Sequence, residues 1–281
     1  MQPEVVDRPY ASPDSFAESV AAVLEEVDGL SSDESGELCF GAHGSILVES
    51  KRICWARAAT MTRRLTDTLR KQRNPPLGHR DIARVVESCR GSGDRIGEAL
   101  VKSGLVTAAG LRAALYFNAV DAILELSRAE ARLSDFVPHG GGRHDPEYVF
   151  STGEILSAAL GRSDPALQVL LRGHLARVLG PTVSGLAAVR ASRVAPALPI
   201  AAQEPLPLGV RRLLELSIIG AECVEGAERE GEPVIERWQG RILVTWRVHE
   251  AACVAVLDEG DDEDAIRARL RGDALFERHE P

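Results

Sequence analysis

The sequence predicts an α+β protein of two domains: an N-terminal antiparallel strand meander joined to a helical module, then a C-terminal α/β sandwich. Two observations carry this. Between residues 38 and 55, Leu38 and Phe40, Ile46 and Val48, then Ile53 and Trp55 stand at every second position, and short polar turns at Gly41–Gly44 and Glu49–Arg52 separate the runs. Such alternation marks half-buried antiparallel strands. In the second half, helical and strand-like runs follow in the order α-β-β-α-β-β-β-α, which suits helices laid on a sheet.

Residues 1–12 read as a flexible tail. From Ser12 to Val27, Phe16, Val20, Val23 and Leu24 make a helical stripe behind a Ser-Pro-Asp start. The acidic, serine-rich stretch from Asp28 to Ser35 is a loop, and the strands follow it. After Thr60 the period becomes helical. Arg64-Leu-Thr-Asp-Thr-Leu69 and Arg95-Ile-Gly-Glu-Ala-Leu100 are two copies of one unit, 31 residues apart. The first copy lacks the glycine and runs into Pro75-Pro76. In the second, Ile96, Ala99 and Leu100 share a helix face, Gly104 closes that helix, and Thr107 caps the next one. The next helix carries Leu111, Ala114, Leu115 and Asn118, and runs on through Ile123, Leu124 and Leu126. A short apolar piece (Leu133, Phe136, Val137) precedes a flexible, exposed loop from Pro138 to Pro146. Ser151-Thr-Gly-Glu154 has capping-box spacing for a helix bearing Ile155, Leu156, Ala159 and Leu160. Gly161–Ser163 is the expected boundary, dividing the chain into residues 13–160 and 164–281.

Asp164 and Pro165 open an amphipathic helix with the stripe Leu167, Leu170, Leu171, His174, Leu175 and Val178, stopped by Gly180-Pro181. Strand-like runs at Gly185–Ser192 and Ala197–Ala202 follow, the second in a proline-rich neighbourhood. A helix from about Leu208 to Arg229 places Val210, Leu213, Leu214, Ser217, Ile218 and Ala221 on one face. Val234–Trp238, Arg241–Val248 and Ala251–Leu257 read as strands joined by two-residue turns. Ile266 and Leu270 mark a last helix.

Composition narrows the function. A net charge of −9 argues against a nucleic-acid binder, which needs a basic footprint. The basic group around Arg63, Arg64, Arg70, Lys71 and Arg73 reads as a solvated helix face. The five cysteines show no C-x-x-C spacing and fit reduced thiols. With no secretory signal and no apolar run of spanning length, a cytoplasmic protein away from the membrane is expected.

Gly36-Glu-Leu-Cys-Phe40, Gly44-Ser-Ile-Leu-Val48, Arg52-Ile-Cys-Trp-Ala56 and Arg95-Ile-Gly-Glu-Ala-Leu-Val-Lys-Ser-Gly-Leu105 resemble the N-terminal domain of PatA-like bacterial signalling proteins over residues 13–160. The resemblance implies a regulatory module with no enzymatic activity of its own. The spacing from Arg95 to Asn118 is also similar to the cyclic-di-GMP-binding motif in the N-terminal domain of type II secretion and pilus ATPases, with Ile96 for Leu and Asn118 for the terminal Gln. That likeness implies a dinucleotide site using Arg95, Gly97, Gly104 and Asn118, with Arg64 from the degraded copy. By element order and by Arg241–Leu257, the second half resembles a roadblock/dynein light-chain domain. This implies a homodimer through the C-terminal domain and regulation of a small Ras-like GTPase.

The remaining candidates have plainer expectations. His174 lies on an apolar stripe and is expected to be a hydrogen-bonded core histidine. His139, His144 and Asp145 surround a glycine run in a mobile loop that offers no fixed support for a metal. The acidic run Asp258–Asp264 lacks EF-hand spacing and suits a helix N-terminus. No P-loop, G-x-S-x-G or H-E-x-x-H is present, and no cofactor is expected. The function these observations imply is a non-enzymatic signalling adaptor acting through protein contacts, with a cyclic-di-GMP sensor as the alternative.

Overall fold

The computed structural model describes residues 13–63, 65–71, 78–92, 95–140, 144–179, 183–190, 195–203, 206, 208–226, 233–258 and 263–272. The expected tail (1–12), Arg64, Pro75-Pro76 and Gly180-Pro181 lie outside them. In chain order the elements are α1 (Pro13–Asp28), β1 (Ser35–Cys39), β2 (Gly44–Glu49), β3 (Arg52–Ala58), α2 (Leu65–Lys71), α3 (His79–Ser92), α4 (Ile96–Lys102), α5 (Ala108–Arg128), β4 (Asp135–Pro138), α6 (Thr152–Leu160), α7 (Pro165–Leu179), β5 (Ser184–Arg190), β6 (Ala197–Gln203), α8 (Val210–Glu225), β7 (Val234–Trp238), β8 (Arg241–Val248), β9 (Ala251–Leu257) and α9 (Glu263–Arg271). The fold is mixed α+β. No described helix is long and apolar enough to cross a membrane.

The chain divides differently from the expected boundary. Gly29–Phe150 forms one compact unit; the described residues up to Asp28 and from Ser151 onward form the other. Helix α1 packs against α6 and α8, and α6 packs on β6. An amphipathic stripe announces that a helix will be buried but not against which partner, so α1 and α6 read from sequence as parts of the first domain.

Within Gly29–Phe150 the sheet order is β3-β2-β1-β4, all antiparallel. Ser50 (φ 51°) and Lys51 (φ 60°) form the two-residue β2–β3 turn in left-handed conformation, which matches the strand twist. Leu38, Phe40, Ile46, Val48, Ile53 and Ala56 are buried along one face. Helix α5 packs on β3. Two elements went unrecognised in the sequence. Helix α3 buries Ile82, Val85 and Cys89 between charged residues. Strand β4 is only four residues long and gains its identity from β1, where Gly36 leaves room for the Phe136 ring; a Cβ there would lie 2.5 Å from it. The two copies of the repeat meet in one core: Leu69 and Leu100, at equivalent positions, are buried in a cluster with Leu111 and Ala114.

In the other unit the sheet order is β6-β5-β9-β8-β7, again antiparallel. Both faces are covered, so every residue of β9 is buried. On one face Leu171, Leu175 and Val178 of α7 and Ile266 and Leu270 of α9 pack with Trp246 and Cys253. On the other α8 lies so close that a Cβ at Gly220 would sit 2.3 Å from Val254 Cγ2. Pro199 is accommodated because β6 is an edge strand and a bulge falls at its position. Asp28, at the end of α1, accepts from the Thr152 hydroxyl (2.7 Å) and from the backbone N–H of Val210 (2.7 Å), so it caps α8 from another helix.

Candidate functional site

The strand β3 does not alternate as its sequence suggests. Leu47 pairs with Trp55 but Val48 pairs with Ile53, leaving Cys54 as the extra residue of a bulge. A bulge re-aims side chains. Ile53 stays in the core, while Cys54 and Trp55 both join Leu47 on the opposite face of the sheet.

That face forms one wall of a cavity of about 270 Å³. Its lining includes Leu47, Cys54 and Trp55 from the sheet, Leu65 of α2, and Leu111 and Leu115 of α5. Arg95, Gly97 and Glu98, at the start of α4, and His144, Asp145 and Tyr148 supply the remainder. Small-molecule sites run from roughly 300 to 1,000 Å³, so this one suits a single ring system or a comparably small group. Arg95 precedes α4 in extended conformation, and its guanidinium pairs with Glu98 at 2.9 Å in a half-exposed ion pair. Tyr148 has its hydroxyl pKa raised, first by burial and then by the carboxylates of Glu147, Asp145 and Glu98.

The expected module residues divide. Arg95 and Gly97 reach the cavity, and Gly97 also lets α4 approach α5, since a Cβ would be 3.0 Å from the Leu111 methyls. Gly104 adopts φ +67° with open space around it and closes α4 through Leu105 and Val106 N–H bonds to the Leu100 carbonyl (3.0 and 3.2 Å). Thr107 caps α5 by accepting from Gly110 N–H at 3.0 Å. Asn118 is buried, and its amide donates to the Ala56 carbonyl at 2.8 Å. It therefore joins α5 to β3 and is not among the cavity-lining residues. Arg64 lies outside the described residues.

The stretch expected as an exposed loop is anchored at its far end. His144 donates its backbone N–H to Glu49 Oε2 (3.1 Å), and its Nδ1 lies 2.8 Å from the same oxygen. Arg112 donates to the carbonyls of Glu147 and Val149 and lies over the Phe150 ring. Phe150 exchanges two backbone bonds with Ile53 (2.8 and 2.9 Å). Glu49 and Cys54 are both buried; burial, then the Glu49 charge, pushes the Cys54 thiol up to about 12, against the lowering pull of Arg95 and Arg52. Sequence reasoning missed the convergence of Glu49, Cys54 and His144. No local sign marks it: Ile53-Cys54-Trp55 has no polar residue at its centre, but neither do Leu38-Cys39-Phe40 and Ile46-Leu47-Val48.

Elsewhere, His174 is fully buried and its Nε2 accepts from Trp246 Nε1–H at 2.8 Å. His139 is half-buried, and Asp145 caps the turn at Pro146–Tyr148 by accepting from Glu147 N–H. Asp258 pairs with Arg241 at 3.0 Å on the surface. Compared with known proteins, the chain matches no protein-family model and no curated protein.

Proposed function

We propose that this protein is a non-enzymatic signalling adaptor, working in the cytoplasm of a bacterium by holding other proteins, with a small Ras-like GTPase as the most concrete partner. The observation that carries the reading is the sheet β6-β5-β9-β8-β7, with α8 between β6 and β7. That is the element order which makes the second half similar to roadblock domains. Among the described residues β7 pairs only with β8, and Glu236 and Arg237 are exposed on it. An unpaired strand edge is a template for another chain. Pairing two β7 edges antiparallel about a twofold axis between these residues sets Glu236 of one copy opposite Arg237 of the other, as a self-complementary interface requires.

The test is the mass of the full chain in solution. A dimer is expected that Arg237→Glu weakens and that the exchange Glu236→Arg with Arg237→Glu restores. A monomer at high concentration, or a dimer indifferent to both changes, rejects the interface. Binding to purified small GTPases of the source bacterium in both nucleotide states tests the partner.

A second reading is a sensor of cyclic-di-GMP: Arg95 and Gly97 both line the cavity, whose size suits one base of the dinucleotide with the remainder outside it, and an arginine fork suits phosphate and guanine edges. It predicts a ligand-dependent rise in Tm that Arg95→Ala removes. An unchanged Tm at millimolar ligand rejects it.

A further inference from the structure

The geometry points to a metal site: we propose that Glu49, Cys54 and His144 bind a thiophilic divalent cation of the zinc type, with its fourth coordination position open to the cavity. Among the described residues these three are the group whose donor atoms converge; one oxygen, one sulfur and one nitrogen all lie within 4.8 Å of one another.

Three features make this more than a chance grouping. The donors come from separate structures that are each fixed. Glu49 ends β2 at a tight turn, Cys54 is the bulged residue of β3, and His144 is held by its own backbone N–H on Glu49. The following segment is pinned by Arg112 and by the Ile53–Phe150 pair. A site needs such support to keep its ligands oriented. The bulge matters most: without the extra residue, Cys54 and Trp55 would face opposite sides of the sheet.

The donor set also selects the ion. Thiolate and imidazole favour zinc and its neighbours over magnesium or calcium, which take oxygen. Zinc bonds of about 2.0–2.3 Å place tetrahedral donors roughly 3.3–3.6 Å apart. The Nδ1–Oε2 pair, now at 2.8 Å, opens by about half an ångström, and the sulfur, within 4.8 Å of both, closes in on them. Binding displaces the thiol proton to solvent, and the imidazole hydrogen moves from Nδ1 to Nε2 through water. Three protein ligands leave one position free, the arrangement of zinc centres that accept water or a ligand donor. Cys54 and His144 both line the cavity, so that position faces a small molecule with an anionic or nitrogen donor and an apolar body.

The test uses the full chain, stripped with a chelator and titrated with cobalt(II) and then zinc. One cobalt per chain is expected, with a thiolate-to-cobalt charge-transfer band that zinc abolishes. Cys54→Ser removes the band, while Cys39→Ser and Cys223→Ser keep it. Losing a hydrogen-bonding neighbour of a ligand costs about 10–100-fold in metal affinity; His144→Gln, which removes a ligand, is expected to cost at least as much. Circular dichroism checks that the variants fold. No band in the wild-type chain at excess cobalt overturns the proposal without recourse to any variant, and so does a band that survives Cys54→Ser. Neither result bears on β7 pairing, so this inference and the adaptor reading fail separately.

Discussion

The side-chain amide of Asn118 donates to the backbone carbonyl of Ala56 across 2.8 Å, from the middle of a helix to the strand beneath it. Both residues are buried. Removing one partner of a buried hydrogen bond leaves the other without compensation, at about 1–3 kcal/mol. Asn118→Ala is expected to lower unfolding stability by that amount in urea titrations. Asn118→Asp costs more, because a carboxylate cannot donate to a carbonyl. Stability unchanged in both variants would place the role of Asn118 outside the fold.

Gly104 offers a cleaner measure of backbone conformation. Its φ is +67° and a Cβ there meets nothing, so substitution pays only for the left-handed geometry. Gly104→Ala should cost about 1 kcal/mol. Gly104→Asn should cost less, since asparagine tolerates this region. Equal losses for the two in thermal melts would mean that contact, not conformation, holds the turn.

Asp28 does for α8 what Gly209, at the N-cap position, cannot. Gly209 brings no side chain, and a Cβ there would lie 2.6 Å from Asp28 Oδ2. Asp28→Ala removes the acceptor for both Thr152 and Val210 and should cost about 2 kcal/mol. Asp28→Asn retains one oxygen and should cost roughly half as much. Gly209→Ser, which adds a good cap by sequence rules, is expected to destabilise by crowding the carboxylate. Chemical denaturation of the three variants gives the order.

Cys223 has its thiol pushed up to about 11, first by burial, then by the charge of Glu236 and the hydrogen bond to it. The thiolate is the reactive form, so a raised pKa means slow alkylation at neutral pH and a rate that climbs as pH rises towards 11. Glu236→Gln removes the charge that opposes ionisation and should speed labelling at any pH below that. Cys253, fully buried in the sheet with its thiol also raised, should label only on unfolding. Peptide mass spectrometry after timed iodoacetamide treatment reads both sites.

What the sequence discloses is what neighbouring residues decide among themselves. The Gly104 turn, the Thr107 cap and the Ser151–Glu154 capping box are all formed, because each depends on atoms within a few residues. Strand β4 and helix α3 escape notice because one is short and the other is dominated by charge. The bulge at Cys54 depends on register between strands, which alternation alone does not fix. Glu49 and His144 stand 95 residues apart, and no spacing rule connects them. Asn118 shows the opposite difficulty. Its position in a spaced motif suggested a ligand, while a carbonyl on a distant strand supplies its partner.

The chain leaves one unit at Asp28 and rejoins it at Ser151. During synthesis, α1 emerges with Val20, Leu24 and Val27 ready for burial, yet Thr152, which meets Asp28, lies 124 residues further along. At ordinary translation speeds of about 5–20 residues per second, that interval lasts roughly 6–25 seconds. Throughout it the first helix presents an oily stripe to the ribosome exit and whatever chaperone waits there, while the intervening unit can complete its own folding.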